Sequence, residues 1–289
     1  MARIAYVNGR YRPLAAAQVR VEDRGFQFAD GVYEVWSVRQ GRLLDTEAHF
    51  DRLERSLRAL QMAAPMGRRA LSVVVREIVR RNRLADGSVY LQITRGPARR
   101  EHRFPSPAPR PTLVLTAQSV DLEAVERIGR AGVRVKTMRD IRWGRCDIKT
   151  VGLLANVLAK QSAFECGASE AWLTDAEGCV TEGASSTAWI VEASKRLVTR
   201  HLDAAILPGV TRRAVSAYAA DAGFQIEERA FTVAEALAAQ EAFITSASTH
   251  VTPVTHIDDQ PVAGGRPGPV ALALRALYAR MSREDIAKN

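Results

Sequence analysis

The chain has 289 residues, 47% of them hydrophobic and 25% charged, an ordinary globular composition long enough for two cores of roughly 120–170 residues each. No apolar run reaches the length of a membrane span, so no transmembrane helix is expected. The three cysteines, Cys146, Cys166 and Cys179, have no CxxC spacing or even-numbered framework, which argues against a disulfide scaffold and against a metal site. The formal net charge of +9 raises the question of nucleic acid. The arginines are scattered through predicted helices rather than gathered in a tail, and no zinc-finger, KH or RRM signature appears. A solvated basic surface follows, one that would attract anionic small molecules.

The first residues carry no apolar signal core, so the expected location is cytoplasmic. Asn8-Gly9, between Ile4–Val7 and Arg10–Leu14, is a hairpin signal, and Val32–Val38 returns through Gln40-Gly41 to Arg42–Leu44 as a second hairpin. Phe50, Leu53, Leu57 and Leu60 recur at helical spacing with Thr46 as the expected N-cap, and Val73–Leu84 continues as helix. Val89–Thr94 and Thr112–Ala117 read as strands on either side of a Pro- and Arg-rich loop, Gly96–Pro111. The pattern changes near Ala117–Glu126, which predicts domains over 1–119 and 120–289. In the second, Val133–Thr137 reads as a strand and Thr150–Glu165 as a helix closed by Gly167. Strands follow at Glu170–Thr174, Cys179–Thr181 and Thr187–Val191, then a helix over Gly209–Ala222, a strand at Phe243–Ser246 and a helix over Pro269–Met281. Short strands mixed with helices in both halves predict an α+β fold.

Lysine is scarce: there are five, Lys136, Lys149, Lys160, Lys195 and Lys288, and every other basic residue is arginine. Unlike guanidinium, a lysine amine can lose its proton and attack a carbonyl. Lys149 sits in Arg145-Cys146-Asp147-Ile148-Lys149-Thr150, at the expected mouth of a helix, where a plain surface cation is disfavoured. About 30 residues on comes Thr181-Glu182-Gly183-Ala184-Ser185-Ser186. A lysine able to trap an electrophile, followed by a carboxylate in a Gly/Ser turn, points to pyridoxal phosphate chemistry.

Several stretches in register carry a family resemblance. They are Glu22 through Val35, His49-Phe50-Asp51-Arg52-Leu53, Thr94-Arg95-Gly96, Arg100-Glu101-His102, Asp140-Ile141-Arg142-Trp143 through Lys149, Thr181–Ser186, Ile206 through Arg212, and Thr245-Ser246. The chain resembles the fold-type IV pyridoxal-phosphate enzymes, nearest to the D-amino-acid aminotransferases. The resemblance implies a small N-terminal α/β domain and a larger C-terminal domain with a mixed, barrel-like β core. It implies Lys149 as the Schiff-base lysine that also shuttles the Cα proton. Glu182 would bond the pyridine nitrogen and keep the ring protonated, and Leu207 would lie against the ring face. Arg52, Ser185, Ser186, Val210, Thr211, Ser246 and Ala247 would complete the cofactor site, with the helix start at Gly209-Val210-Thr211 as an anion cradle. On their own, Arg52 reads as a surface helix pair and Leu207 as core.

Arg100 and His102, with Tyr33, would capture the substrate α-carboxylate from the Pro-rich loop, since Arg binds carboxylates bidentately. The family places this loop in the partner subunit's site, so a homodimer is implied. Pro208 and Ala184 depart from the family pattern beside cofactor positions. Asn156 and Lys160 look family-like but structural. The implied reaction is D-alanine plus 2-oxoglutarate to pyruvate and D-glutamate. The alternatives that share the cofactor are a branched-chain L-amino-acid aminotransferase, an aminodeoxychorismate lyase and an (R)-amine transaminase. The alternative from another class is a non-catalytic basic module that binds nucleic acid.

Overall fold

The computed structural model describes residues 3–288, side chains at 194 and 283–288 excepted; Met1, Ala2 and Asn289 lie outside the described residues. The chain divides into two compact units. The first runs to Asp121 and takes back the short segment Ile148–Gly152; the second holds Leu122–Asp147 and the remainder from Leu153.

The first unit contains β1 (Ile4–Val7), β2 (Arg10–Pro13), α1 (Arg24–Phe28), β3 (Gly31–Arg39), β4 (Arg42–Leu43), α2 (Thr46–Ala59), α3 (Arg68–Arg81), β5 (Gly87–Thr94) and β6 (Thr112–Ser119). Its strands form one antiparallel sheet in the order β2-β1-β6-β5-β3-β4. Asn8 and Gly9 both have positive φ, 46° and 93°, as a two-residue hairpin turn requires. Strand alternation sends Val89, Leu91 and Ile93 of β5 inward. The helical period sends Phe50, Leu53 and Leu57 of α2, and Leu71, Val75 and Ile78 of α3, into the same core. Each such fully buried side chain contributes about 1.5–3 kcal/mol.

Asp45, not Thr46, occupies the N-cap of α2, at φ 50° and without a side-chain cap bond. The Thr46 hydroxyl donates to Leu43 O at 3.3 Å and closes the turn from β4. Helix α3 begins at Arg68, ahead of the expected Val73, because the buried helical series opens at Leu71 and continues through Val75 and Ile78; Arg68 also pairs with Glu47 and Asp51.

The second unit contains α4 (Leu122–Ala131), β7 (Val133–Arg139), α5 (Leu154–Glu165), β8 (Glu170–Thr174), β9 (Val180–Gly183), β10 (Thr187–Glu192), β11 (Arg196–Thr199), α6 (Val210–Asp221), β12 (Gln225–Glu228), α7 (Val233–Ala238), β13 (Glu241–Ser246), β14 (His250–Ile257), β15 (Gln260–Pro261) and α8 (Pro269–Lys288). Its nine-stranded mixed sheet runs β12-β11-β10-β13-β14-β7-β8-β9, with β15 on β14. The pairs β11–β12, β14–β7 and β7–β8 are parallel. Both faces of β10 are covered: Ala188 and Ile190 enter one core with Trp172 and Phe231, while Trp189 and Val191 enter another with Phe243 and Leu274. Trp189 and Phe243 are register partners and stack at 5.4 Å. Burial on both faces is why Ala188-Trp189-Ile190-Val191 is apolar without alternation.

The helix expected over Thr150–Glu165 begins only at Leu154. Tyr33 N–H donates to Lys149 O at 3.0 Å, Val151 N–H donates to Gly31 O at 3.1 Å, and Thr150 bridges Val32. Lys149 therefore lies on a strand-like segment beside β3, and the amides that would open a helix are already engaged.

Candidate active site

In the first unit the Lys149 side chain is half buried. Its Nζ lies 4.2 Å from the centroid of the Tyr33 ring, and it makes no ion pair among the described residues. Its backbone N–H donates to Ser56 Oγ on α2 at 3.4 Å. One face of α2 thus presents His49, Arg52 and Ser56 at helical spacing. Glu34 of β3 is 0% exposed and binds this face. Arg52 Nε donates to Glu34 Oε1 at 2.8 Å and Arg52 Nη2 to Glu34 Oε2 at 2.7 Å, while His49 Nδ1 lies 2.7 Å from Glu34 Oε2. Burial would raise the Glu34 carboxyl, but the Arg52 guanidinium and hydrogen bonds from Arg52 and His49 bring it down to about 2. Burial holds the His49 imidazole below its ordinary value, against the pull of Glu34.

Arg100 and His102 are exposed on the loop between β5 and β6. Both meet the ring of Phe28 in α1: the Arg100 guanidinium lies 5.3 Å above it, and the His102 ring centroid is 5.4 Å away. The two side chains expected to take a carboxylate therefore share one aromatic platform.

In the second unit the predicted cofactor residues lie on β9 and the turn after it, at the start of α6 and at the end of β13. Glu182 of β9 is buried, and both its oxygens accept from Leu207 N–H at 3.2 Å. Arg142 Nη1 also donates to Glu182 Oε1, while Arg142 Nη2 donates to Asp140 Oδ2 at 2.7 Å and to Ala205 O at 3.0 Å. Asp140 in turn accepts from Thr181 Oγ1 at 2.8 Å. One cation between two carboxylates thus fixes Glu182 in place and leaves the group with net negative charge. A Cβ on Gly183 would run into Ser186 Oγ and stand 3.1 Å from Ser186 O, so a larger residue would force Ser186 off Glu170. Ser185 and Ser186 donate to the buried Glu170 at 2.7 and 3.0 Å, and Lys160 Nζ stands 3.2 Å from the same carboxylate. Asn156 Nδ2 donates to Ala184 O at 2.8 Å.

No side chain caps α6, whose N-cap is Gly209, with Val210 and the buried Thr211 in the first turn. A Cβ on Gly209 would stand 3.0 Å from Thr187 Oγ1, and Thr187 is the register partner of Thr245. The helix start is thereby tied to the end of β13, where Ser246 Oγ accepts from Thr249 N–H at 3.2 Å and lies 2.9 Å from Thr249 Oγ1. An open helix start beside a turn rich in hydroxyls is suited to a phosphate. A fixed carboxylate suits a protonated ring nitrogen, and a half-buried amine suits a carbonyl. The donor set fits pyridoxal phosphate.

Several residues had no assigned role in the sequence: Glu34, His49, Asp140, Arg142 and Glu170. Their only signal is membership in matched stretches or in strands, because a buried ion pair leaves no periodicity.

A model of the class IV amino-transferase family matches residues 31–257. A D-alanine aminotransferase of Bacillus licheniformis is 39% identical over 282 residues, covering 98% of each chain. One of Staphylococcus haemolyticus is 37% identical, covering 93% of this chain and 94% of its own. Among solved structures, a branched-chain amino acid aminotransferase of T.th., solved with pyridoxamine 5'-phosphate, superposes with TM-score 0.88 at 27% identity, over 97% of this chain and 94% of that one. The fold, the buried carboxylate of Glu182, the helix start at Gly209 and these likenesses lead to one conclusion: the chain belongs to the class IV aminotransferase family.

Proposed function

We propose that this enzyme is a pyridoxal-phosphate-dependent D-amino-acid aminotransferase that moves the amino group of D-alanine to 2-oxoglutarate, giving pyruvate and D-glutamate. The observation that carries the substrate class is the Arg100–His102 pair on the Phe28 platform: an exposed guanidinium, with no ion pair among the described residues, beside an imidazole. A carboxylate is the natural partner of such a fork. The curated relatives at 39% and 37% identity bear the name D-alanine aminotransferase. The branched-chain enzyme is less similar in sequence, and shared fold does not transmit substrate choice.

Bound pyridoxal phosphate supplies a carbonyl that condenses with amines and a ring that accepts electron density. In this reading Lys149 Nζ carries the proton that leaves and returns at the substrate Cα. Tyr33, whose ring lies under Lys149 Nζ, limits where that amine can reach. Glu182, fixed by Arg142 and Leu207 N–H, holds a proton on the ring nitrogen. Arg52, Val210, Thr211, Ser246 and Ala247 bind the phosphate, Ser185 and Ser186 shape the turn beside the ring, and Leu207 packs on its face. Tyr33, Arg100 and His102 orient the carboxylate.

The proposed assembly is a cytoplasmic homodimer. Cys146, Cys166 and Cys179 are free thiols. No helix among the described residues is long and apolar enough to cross a membrane. Helix α5 exposes Leu154 at 72% and Phe164 at 74%, an apolar face that a second copy would cover. The branched-chain reading is favoured by the structural likeness alone, and a half-reaction assay separates the two. D-alanine should convert the bound cofactor to its amine form, seen as bleaching of the visible band, and L-leucine should not. Preference for L-leucine would move the enzyme to the branched-chain class.

A further inference from the structure

The Arg100–His102 loop leaves β5 through Gly96 and is stitched from its first residues to the segment that opens α1. Arg24 N–H donates to Gly96 O at 3.0 Å, Ala98 N–H donates to Glu22 O at 3.2 Å, and Asp23 bridges Pro97. The Arg24 side chain then reaches further along the loop. It is 3% exposed. Its Nη1 donates to Glu101 O and its Nη2 to His102 O at 3.4 Å, so it grips the backbone between Arg100 and His102 and at His102 itself.

Arg24 is itself held. Its Nε donates to Asp30 Oδ2 at 2.8 Å, and Arg95 grips the same carboxylate through Nε at 2.7 Å and Nη2 at 3.0 Å. Arg95 Nη2 also donates to Leu60 O at 2.8 Å, just past the end of α2. Burial would raise the Asp30 carboxyl, but hydrogen bonds from Arg95 and Arg24 hold it below its ordinary value, so the clamp stays charged at neutral pH. The Arg24 guanidinium also lies 4.8 Å from the centroid of the Phe28 ring. Phe28 is therefore flanked by Arg24, Arg100 and His102. Packing demands this geometry of the short helix: a Cβ on Gly25 would collide with Thr94 Cγ2.

We propose that Arg24 and Phe28 are positioning residues that set Arg100 and His102 as a carboxylate trap, and so determine that the substrate must carry a carboxylate. The clamp fixes the loop backbone and the ring fixes the two side chains. Neither touches the reacting atoms. This rests on the substrate reading above. A loop of Gly96–Pro111 without the clamp would have to order itself on binding, and that cost would fall on carboxylate substrates alone.

The test compares holoenzymes: wild type, Arg24→Lys, Arg24→Ala and Phe28→Leu, each with cofactor content measured by absorbance. D-alanine is compared with (R)-1-phenylethylamine, which lacks a carboxylate. Arg24 uses three separate nitrogens for Asp30 and the two carbonyls, a span that the single ammonium nitrogen of lysine does not reproduce, so all three variants should raise KM for D-alanine, roughly 10- to 100-fold for the Arg24 variants and about fivefold or more for Phe28→Leu. The D-alanine kcat and the amine half-reaction rate should stay within about twofold of wild type. A D-alanine KM unchanged in Arg24→Lys and Phe28→Leu overturns the proposal, as does an equal loss with both substrates. If Arg24→Ala does not fold, those two variants decide. A wild type that prefers L-leucine sinks the substrate reading itself, an outcome distinct from a D-alanine enzyme indifferent to the clamp.

Discussion

Lys149 is distinguished by its surroundings. It is half buried, unpaired among the described residues and held over an aromatic ring. Borohydride treatment of the holoenzyme should fix the cofactor on the peptide containing Lys149, and Lys149→Ala should lose turnover while keeping its fold; label on Lys160 or Lys136 contradicts the assignment. Lys160 is engaged otherwise, with Glu170 and Ser169 O. In the proposed function Glu182 acts through its charge, so Glu182→Gln, which keeps shape, should slow the half-reaction by about 10²-fold or more, a loss of ~2.7 kcal/mol, with holoenzyme still formed. Stopped-flow rates equal to wild type exclude the role. The thiols test burial independently. Burial pushes the Cys146 thiol up to about 11, and its Sγ donates to Trp143 O at 3.2 Å. Cys146 should therefore resist a thiol reagent in the native protein while exposed Cys166 reacts; mass spectrometry of the labelled peptides reads this directly.

The joint between β3 and α2 carries a cluster of buried polar side chains. Glu34 bonds Arg52 with both oxygens and His49 with one, at 0% exposure for Glu34 and 8% for Arg52. Removing one partner of a buried pair leaves the other uncompensated. Glu34→Gln should lower stability by about 3–5 kcal/mol in chemical denaturation. The same change should loosen Arg52, so cofactor should leave faster on dialysis than from wild type. Arg52→Ala should lose cofactor at least as fast while KM ratios between substrates hold. Holoenzyme that survives dialysis in Arg52→Ala, together with weakened substrate affinity, would assign Arg52 to the substrate site instead.

For the molecule as a whole, pH dependence follows from the same groups. The native state depresses Glu34 to about 2 from 4.5, so its contribution is complete above 4.5 and is lost as pH falls toward 2. His49 is depressed below its ordinary 6.5, so the unfolded chain binds that proton more readily, and stability also falls as pH drops below 6.5. Thermal melts should show a wild-type Tm that declines on acidification below about 6.5. The Tm gap between wild type and Glu34→Gln should narrow as pH falls below the usual carboxylate range. A gap that stays constant down to pH ~3 would show that the ion pair does not titrate as described.

Part of this protein was legible in the sequence because local rules decided it. Asn8-Gly9 set a hairpin, the helical spacing of Phe50, Leu53 and Leu57 set α2, and the scarcity of lysine drew attention to Lys149. The strand β14 was not legible, since Pro253 within it argues against a central strand; it is accommodated beside the irregularity between Val254 and His256. Tertiary structure alone decided that residues 149–151 lie along β3 rather than in a helix, because the competing hydrogen-bond partners, Gly31 O and the Tyr33 N–H, lie more than a hundred residues away in the chain. The same holds for Arg142 on Glu182 and for Arg24 on Asp30 and the Arg100–His102 loop. Buried charge pairs form where packing brings opposite charges together out of water, and no period or propensity in a linear sequence encodes that meeting.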